Sequence, residues 1–259
     1  MFIRGVFFDL YGTLLIPKNN KKAWNNWLLT FYKLMRDNGL KLSRNEFADM
    51  CSGFFTREEP REKEENLTIY ENRIKSFAMD FGLNLESNEI KKIANECVIS
   101  WHKYVKLDPE AIPILKILRN EKNLALITNF DHPPFIYSIL SKYRLIKYFE
   151  FIAISGEIGH KKPNPQIFNF TLEKLELEPQ DVIYIGDSKE DTEGAINAGI
   201  KPILIQRQRL KKRIIGNDYF SKRKTKEKLI TNHSSNIIPF KIISRLRELY
   251  QILNIKSSS

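Results

Sequence analysis

Cysteine is scarce: Cys51 and Cys97 are the only two in 259 residues. Both sit in helix-patterned stretches without a Cys or His at metal-ligand spacing. That argues against a disulfide framework or a local Cys/His metal site and favours two reduced, buried thiols in a cytoplasmic protein. No run of about 18 apolar residues occurs, so no membrane-spanning helix is expected. The start, Met1-Phe-Ile-Arg-Gly-Val-Phe-Phe, has neither a basic segment nor a small-residue cleavage site. No signal peptide is therefore expected. Apolar residues are not lacking: they make up 42% of the chain, and aromatics 12%. Global disorder is excluded, because such a chain has ample surface to bury.

Charge is uneven. The net charge is +11, yet the window Arg207–Lys228 holds ten Lys or Arg against Asp218 and Glu227, a local excess of +8. The remainder is close to neutral, which argues against a fold built around nucleic acid. The window itself reads first as a solvated loop. Its functional alternative is a phosphate-rich partner, nucleic acid or a membrane surface. Only Tyr219 and Phe220 interleave the charges, so a single-strand stacking platform is poorly supported.

Residues 2 to 8 read as a short buried strand. From Lys21 to about Val105 the pattern is helical. Trp24, Trp27, Leu28, Phe31 and Leu34 recur at spacings of three and four, and Gly39 stops that helix. Ser43-Arg-Asn-Glu46 is a capping box that opens a second helix. Asn66–Phe81, ended by Gly82, and Glu89–Tyr104 give two more. Helices and strands then alternate. Asp108-Pro109 opens a helix to Arg119, Asn123–Thr128 is a strand, and Pro133-Pro134 opens a helix. Phe149–Ile154 is a strand, Pro163–Leu175 a helix, Val182–Gly186 a strand, Glu190–Ala198 a helix and Pro202–Ile205 a strand. The alternation predicts βαβ units and a doubly wound parallel sheet of Rossmann-like α/β class. The core would comprise residues 1–16 and 105–259, with an all-helical insert at 17–104. A basic insertion at 207–236 and a terminal amphipathic helix at 239–254 would complete the core.

Ligands of open parallel sheets bind beyond the carboxyl ends of the strands. Asp9, Thr128-Asn129 and Gly186-Asp187-Ser188 with Asp191 all fall at such ends, and Lys162-Pro163 lies just before a helix N-terminus. Three carboxylates in one place repel and raise one another's pKa. A bound Mg²⁺ and a nearby lysine remove that conflict, and hard divalent ions prefer oxygen ligands.

In this order the four pieces resemble the haloacid dehalogenase superfamily of hydrolases. Asp9-Leu-Tyr-Gly-Thr13-Leu is similar to its first motif, Thr128-Asn129 to the second and Lys162-Pro163 to the third. Gly186-Asp187-Ser-Lys-Glu-Asp191 is similar to the fourth. The resemblance covers residues 1–16 and about 106–205, and the helical insert resembles the family's cap at its first insertion site. It implies Asp9 as nucleophile and Thr128 and Asn129 as holders of the transferring group's oxygens. Lys162, rather than Lys161, would neutralise Asp9 and the substrate, since the family's lysine directly precedes the proline. Asp9, the Tyr11 backbone carbonyl and Asp187 would hold Mg²⁺. Asp191 would be a further ligand, direct or through water, or would orient the hydrolytic water.

One position departs from the family's phosphatases, which carry a second aspartate two residues after the nucleophile. Here it is Tyr11. A phenol with pKa about 10 is a poor acid–base catalyst at neutral pH, and losing a positioned one costs roughly 10²–10⁴-fold. Family members that dehalogenate 2-haloacids carry Tyr there and need neither metal nor leaving-group proton. Against that reading, Asp9, Asp187 and Asp191 without a cation would crowd three carboxylates into one pocket. The preferred expectation is a Mg²⁺-dependent phosphatase. Its small phosphorylated substrate would be an ester, anhydride or acyl phosphate with a good leaving group. The alternatives are a metal-free 2-haloacid dehalogenase acting through an Asp9 ester, and a non-catalytic phosphate-binding protein. His160 reads as a surface residue before a proton donor. Trp24, Trp27, Phe54, Phe55 and Trp101 read as helical core before substrate contacts, and Arg57 as a residue able to reach a substrate anion.

Overall fold

The computed structural model describes residues 3–60, 62–207 and 238–255. Their contacts divide them into two units: one of residues 3–16, 107–207 and 238–255, the other of residues 17–60 and 62–106.

The first unit is built on six parallel strands. They are β1 (Gly5–Phe8), β4 (Asn123–Thr128), β5 (Phe151–Ile154), β6 (Val182–Gly186), β7 (Lys201–Ile205) and β8 (Lys241–Ile243), in spatial order β5-β4-β1-β6-β7-β8. Every residue of β1 is buried, as a central strand covered on both faces must be. Its register sets Phe8 beside Leu126 and Ile185, so β1 ends within two residues of the end of β4 and one of the end of β6. The chain proceeds from β1 to β4 and β5 on one side, then to β6, β7 and β8 on the other. The strand order therefore reverses at β1, which is where such sheets open a crevice. One face carries Phe7, Ala125, Ile127, Ala153 and Tyr184 against Ile167, Phe168 and Leu172 of α8 (Gln166–Lys174) and Ala195 of α9 (Lys189–Asn197). The unit also holds α5 (Ala111–Leu118), α6 (Pro133–Lys142), a single-turn α7 (Ser155–Ile158) and, near its end, a further one-turn helix. Between the units the chain runs through β2 (Leu15–Pro17) and β3 (Val105–Leu107), which pair as a separate ribbon.

The second unit contains α1 (Asn20–Asp37), α2 (Arg44–Met50), α3 (Ile69–Met79) and α4 (Ser87–His102). Its core is aromatic. Phe31 lies 5.2 Å from both Trp27 and Phe47, 5.6 Å from Phe54 and 5.3 Å from Phe77, measured between ring centroids. The buried Trp27 indole donates to the Tyr70 hydroxyl at 2.7 Å, which gives that polar tip its partner. Cys51 and Cys97 are buried free thiols. Arg57 is exposed and its guanidinium donates to the Met50 carbonyl. Among the described residues no helix is long and apolar enough to cross a membrane.

Two sequence expectations change and a third is not tested. The helix expected to start at Pro109 begins at Ala111, because the Asp108 side chain accepts from the Glu110 amide at 2.7 Å and shapes a turn first. The terminal helix expected over 239–254 is instead strand β8, a 3₁₀ turn at Leu246–Glu248 and the one-turn α10 (Leu249–Ile252). The free edge of β7 accounts for this: β8 pairs with it from Ile203 to Ile205, and that pairing overrides the helical spacing of Ile242, Ile243 and Leu246. The expected insertion at 207–236 lies, beyond Arg207, outside the described residues.

Candidate active site

Asp9 follows β1 directly, with its amide held by the Ile185 carbonyl at 2.8 Å. Asp187 follows β6. Ser188 caps α9 through a capping box with Asp191, which places the Asp191 carboxylate back over the β6 turn. Lys162 arrives from the loop before α8. Its buried ammonium, with three N–H groups, lies within hydrogen-bond distance of four acceptors: Asp9 Oδ1 at 2.7 Å, Asp191 Oδ1 at 2.6 Å, Tyr184 Oη at 2.9 Å and the Ile127 carbonyl at 3.1 Å. Lys161, by contrast, pairs with Asp131 at 2.7 Å.

Ligand oxygens of Asp9, Asp187 and Asp191 all lie within 4.8 Å of one another. Their approach requires the glycines beside them. A Cβ on Gly12 would sit 2.0 Å from Asp187 Oδ2, and one on Gly186 would sit 2.4 Å from the Asp191 side chain. Gly12 also has a φ of 96°, in the left-handed region that suits glycine.

The three carboxylates differ electrostatically. Burial pushes Asp9 up to about 6, against the pull of Lys162 and with a further push from Asp191. Asp187 is raised well above the usual carboxylate range, by burial and then by Asp9 and Asp191. Burial also pushes Asp191 upward, but the Lys162 charge outweighs it. Hydrogen bonds from Lys162, Tyr184 and Ser188 add to that pull, so Asp191 stays below the ordinary value. Burial would lower Lys162, yet Asp191 and Asp9 together raise it, so the site carries one fixed positive charge against three acids.

The donor set fits a divalent cation. The buried Asp9 Oδ2 has no hydrogen-bond partner. Burial and the two neighbouring acids oppose charge on Asp187, against a weaker pull from Lys162. Asp191 is different: Oδ1 accepts from Lys162 and Tyr184, while Oδ2 accepts from the Asp187 and Ser188 amides and the Ser188 hydroxyl. It is engaged on both oxygens.

The remaining residues fall as follows. Thr128 is buried at the carboxyl end of β4. The Asn129 side chain accepts from the Lys162 amide at 2.9 Å and donates to the Lys162 carbonyl at 3.0 Å, so it clasps the lysine loop. The Tyr11 ring stacks on Phe130 at 5.6 Å. Burial, with Tyr143 and Asp9 nearby, holds its phenol well above its usual pKa. His160 is exposed. Sequence reasoning missed Tyr184. Its hydroxyl donates to Asp191 Oδ1 at 2.7 Å while accepting from Lys162. The signal available was a phenol at an otherwise aliphatic strand position, three residues before Asp187.

A doubly wound parallel sheet, a helical unit inserted after its first strand and this acid–lysine cluster at its switch point define an α/β hydrolase. The chain matches the model of haloacid dehalogenase-like hydrolases over residues 3–199, and it belongs to that family. Rat N-acylneuraminate-9-phosphatase is 33% identical over 116 residues, 43% of this chain and 46% of that protein. Phosphoglycolate phosphatase 1 of Pseudomonas aeruginosa is 32% identical over 107 residues, 41% of this chain and 39% of that one. The chain thus spans about half the length of the curated relatives it matches. The crystal structure of a HAD phosphatase from Thermococcus onnurineus shares the fold, with a TM-score of 0.64 at 23% identity over 99% of this chain and all of that one.

Proposed function

We propose that this protein is a Mg²⁺-dependent phosphatase of small phosphorylated metabolites, acting through an aspartyl phosphate on Asp9. The observation that carries the reading is the charge imbalance: three clustered carboxylates, one ammonium and an unpartnered Asp9 oxygen. The named relatives are phosphatases, which supports the same choice. A metal-free dehalogenase would have to keep Asp187 ionised beside Asp9, or protonated and idle.

Asp9 and Asp187, with the Tyr11 backbone carbonyl, would hold the cation. When bound, Mg²⁺ neutralises charge on the transferring phosphoryl group and on the nucleophile. Asp9 attacks phosphorus in line, the bond to the leaving oxygen breaks, and Asp9 carries the phosphoryl group as an acyl phosphate. Water then attacks that phosphorus and returns Asp9 as a carboxylate with release of inorganic phosphate. Lys162 offsets charge on Asp9 and the equatorial oxygens, and the Thr128 hydroxyl holds one of those oxygens. Asn129 acts through Lys162, by fixing its backbone. Asp191 holds Lys162 in place and would be a further ligand of the cation, direct or through water, or would orient the hydrolytic water. The helical unit serves as the cap that selects substrate. The two buried free cysteines suit a cytoplasmic setting.

Tyr11 sets the leaving group. Its phenol stays protonated at neutral pH and is a weak acid, so it neither takes a proton from water nor readily gives one to an alkoxide. Acyl phosphates, anhydrides and aryl phosphates leave without that help. The test measures phosphate release from acetyl phosphate, p-nitrophenyl phosphate and glycerol phosphate with and without Mg²⁺, and halide release from 2-chloropropionate. Metal-dependent release from the first two is expected, with Asp9→Asn reducing it roughly 10⁴-fold or more. Halide release without metal would sink the phosphatase reading, and equal rates on glycerol phosphate would sink the role of Tyr11.

A further inference from the structure

By sequence, Arg207 opens the basic run that follows β7. In the structure its side chain turns inward, 17% exposed, and three guanidinium nitrogens are engaged. Nε donates to the Gly12 carbonyl at 3.3 Å, Nη2 to the Thr13 carbonyl at 2.7 Å, and Nη1 pairs with Asp108 Oδ2 at 2.5 Å. Asp108 is itself buried, and its amide donates to the Leu14 carbonyl at 2.9 Å. The turn they grip is the one that carries Asp9. Leu14 and Leu15 amides close it on the Leu10 carbonyl at 2.9 and 2.8 Å, and the Gly12 amide on Leu15 at 2.7 Å. Those bonds leave the Gly12 and Thr13 carbonyls to Arg207. The face of Gly12 rests against the Asp187 carboxylate, where a Cβ would lie only 2.0 Å away.

We infer that Arg207, oriented by Asp108, is a positioning residue: it fixes the Gly12–Thr13 carbonyls and so the spacing between the Asp9 turn and Asp187. The planar guanidinium suits the task because it sends donors in three directions from one rigid group. A lysine at 207 keeps the charge and loses the fork. Asp108 is a buried carboxylate that accepts the Glu110 amide on Oδ1 and pairs its charge with Arg207 on Oδ2, so removing either charged partner leaves the other's charge unmatched.

The activity arm of the test rests on the proposed phosphatase reading; the exchange arm does not. Arg207→Lys and Asp108→Asn are made in the full chain, with Lys75→Met, which breaks the Glu64 pair of the helical unit, as control. Amide exchange of Leu14 and Leu15 is followed by NMR without metal, and kinetics are read on acetyl phosphate with Mg²⁺. Both test variants are expected to speed exchange at Leu14 and Leu15 by about tenfold or more. They should lower kcat about 10–100-fold with KM within about twofold, the pattern of a displaced nucleophile. The control should change neither. Unchanged exchange at these amides in both variants, or unchanged kcat, overturns the inference. Faster exchange in a protein whose wild type releases no phosphate sinks the phosphatase reading and leaves the positioning role standing. If Arg207→Lys fails to fold, Asp108→Asn decides by the same exchange measurement.

Discussion

Thr68–Glu71 in the helical unit and Ser188–Asp191 in the sheet unit are the same local device. Each is a capping box, with a hydroxyl accepting from the third helical amide and an acid reaching back to the cap. At Glu71 the carboxylate accepts from the Thr68 amide at 2.7 Å. At Asp191 one oxygen does that work while the other takes Lys162 and Tyr184. The surroundings repeat the contrast. In the helical unit, Asn72 donates to the Glu64, Leu67 and Thr68 carbonyls, and Arg73 to those of Arg57 and Glu58. Those buried polar groups answer backbone needs. In the sheet unit the buried acids face one another, with too few cations to balance them. Binding capacity resides where the electrostatics do not close internally.

The largest effect on stability is expected in the helical unit, where packing alone sets the outcome. Phe31 is fully buried among five other aromatic rings, counting Trp27, Phe47, Phe54 and Phe77 with Tyr32 beside Phe47. Phe31→Ala should cost about 3–5 kcal/mol in chemical denaturation. A cost below about 1 kcal/mol would mean this aromatic core is not what holds the unit together.

The next effect has the opposite sign. Asp187 titrates above its unfolded value, so the folded protein binds that proton more tightly than the unfolded chain does. Stability from this group is therefore full below the unfolded pKa near 4 and declines as pH rises through the folded one; Asp9, raised to about 6, adds to the same decline. Asp187→Asn should stabilise the metal-free protein at pH 8 by roughly 1–2 kcal/mol, with no gain at pH 4. Added Mg²⁺ should raise the Tm of wild type and not of the variant. A metal-free variant less stable than wild type at pH 8 would show that Asp187 is matched by its surroundings after all.

That contrast also explains what the sequence disclosed. Apolar runs such as Asn123–Thr128 and Val182–Gly186 announced the parallel sheet, because strands buried on both faces tolerate little else. Asp9, Asp187 and Asp191 were legible as polar residues after strands and Lys162 as a lysine just before a helix, and the fold brings them together. Tyr184 and Arg207 were not. A phenol inside a strand reads as core, and an arginine heading a basic run reads as solvated, until tertiary contacts reveal their partners. Asn129 was legible as a site residue but not in its contact, since its bonds go to the Lys162 backbone. The terminal segment misled for a related reason: the open edge of β7 is a nonlocal fact, and local periodicity cannot register it.

The smallest effect sharpens the opening comparison most directly. Thr68→Ala and Ser188→Ala each delete one capping hydroxyl, and each should cost about 0.5–2 kcal/mol of stability. Their consequences for turnover should part. Glu71 keeps its bond to the Thr68 amide within the helical unit, so Thr68→Ala should leave kcat unchanged. Ser188 also donates to Asp191 Oδ2 at 2.9 Å. Without it Asp191 keeps two amide donors but loses the hydroxyl that fixes its rotation, and through Asp191 the Lys162 ammonium loosens. A fall in kcat of about 3–10-fold follows, a part of the roughly 1.5–3 kcal/mol that a hydrogen bond to a carboxylate is worth. Equal kinetics for the two variants would mean that Asp191 is held by its amides and lysine alone, and that the two boxes are the same device in effect as well as in form.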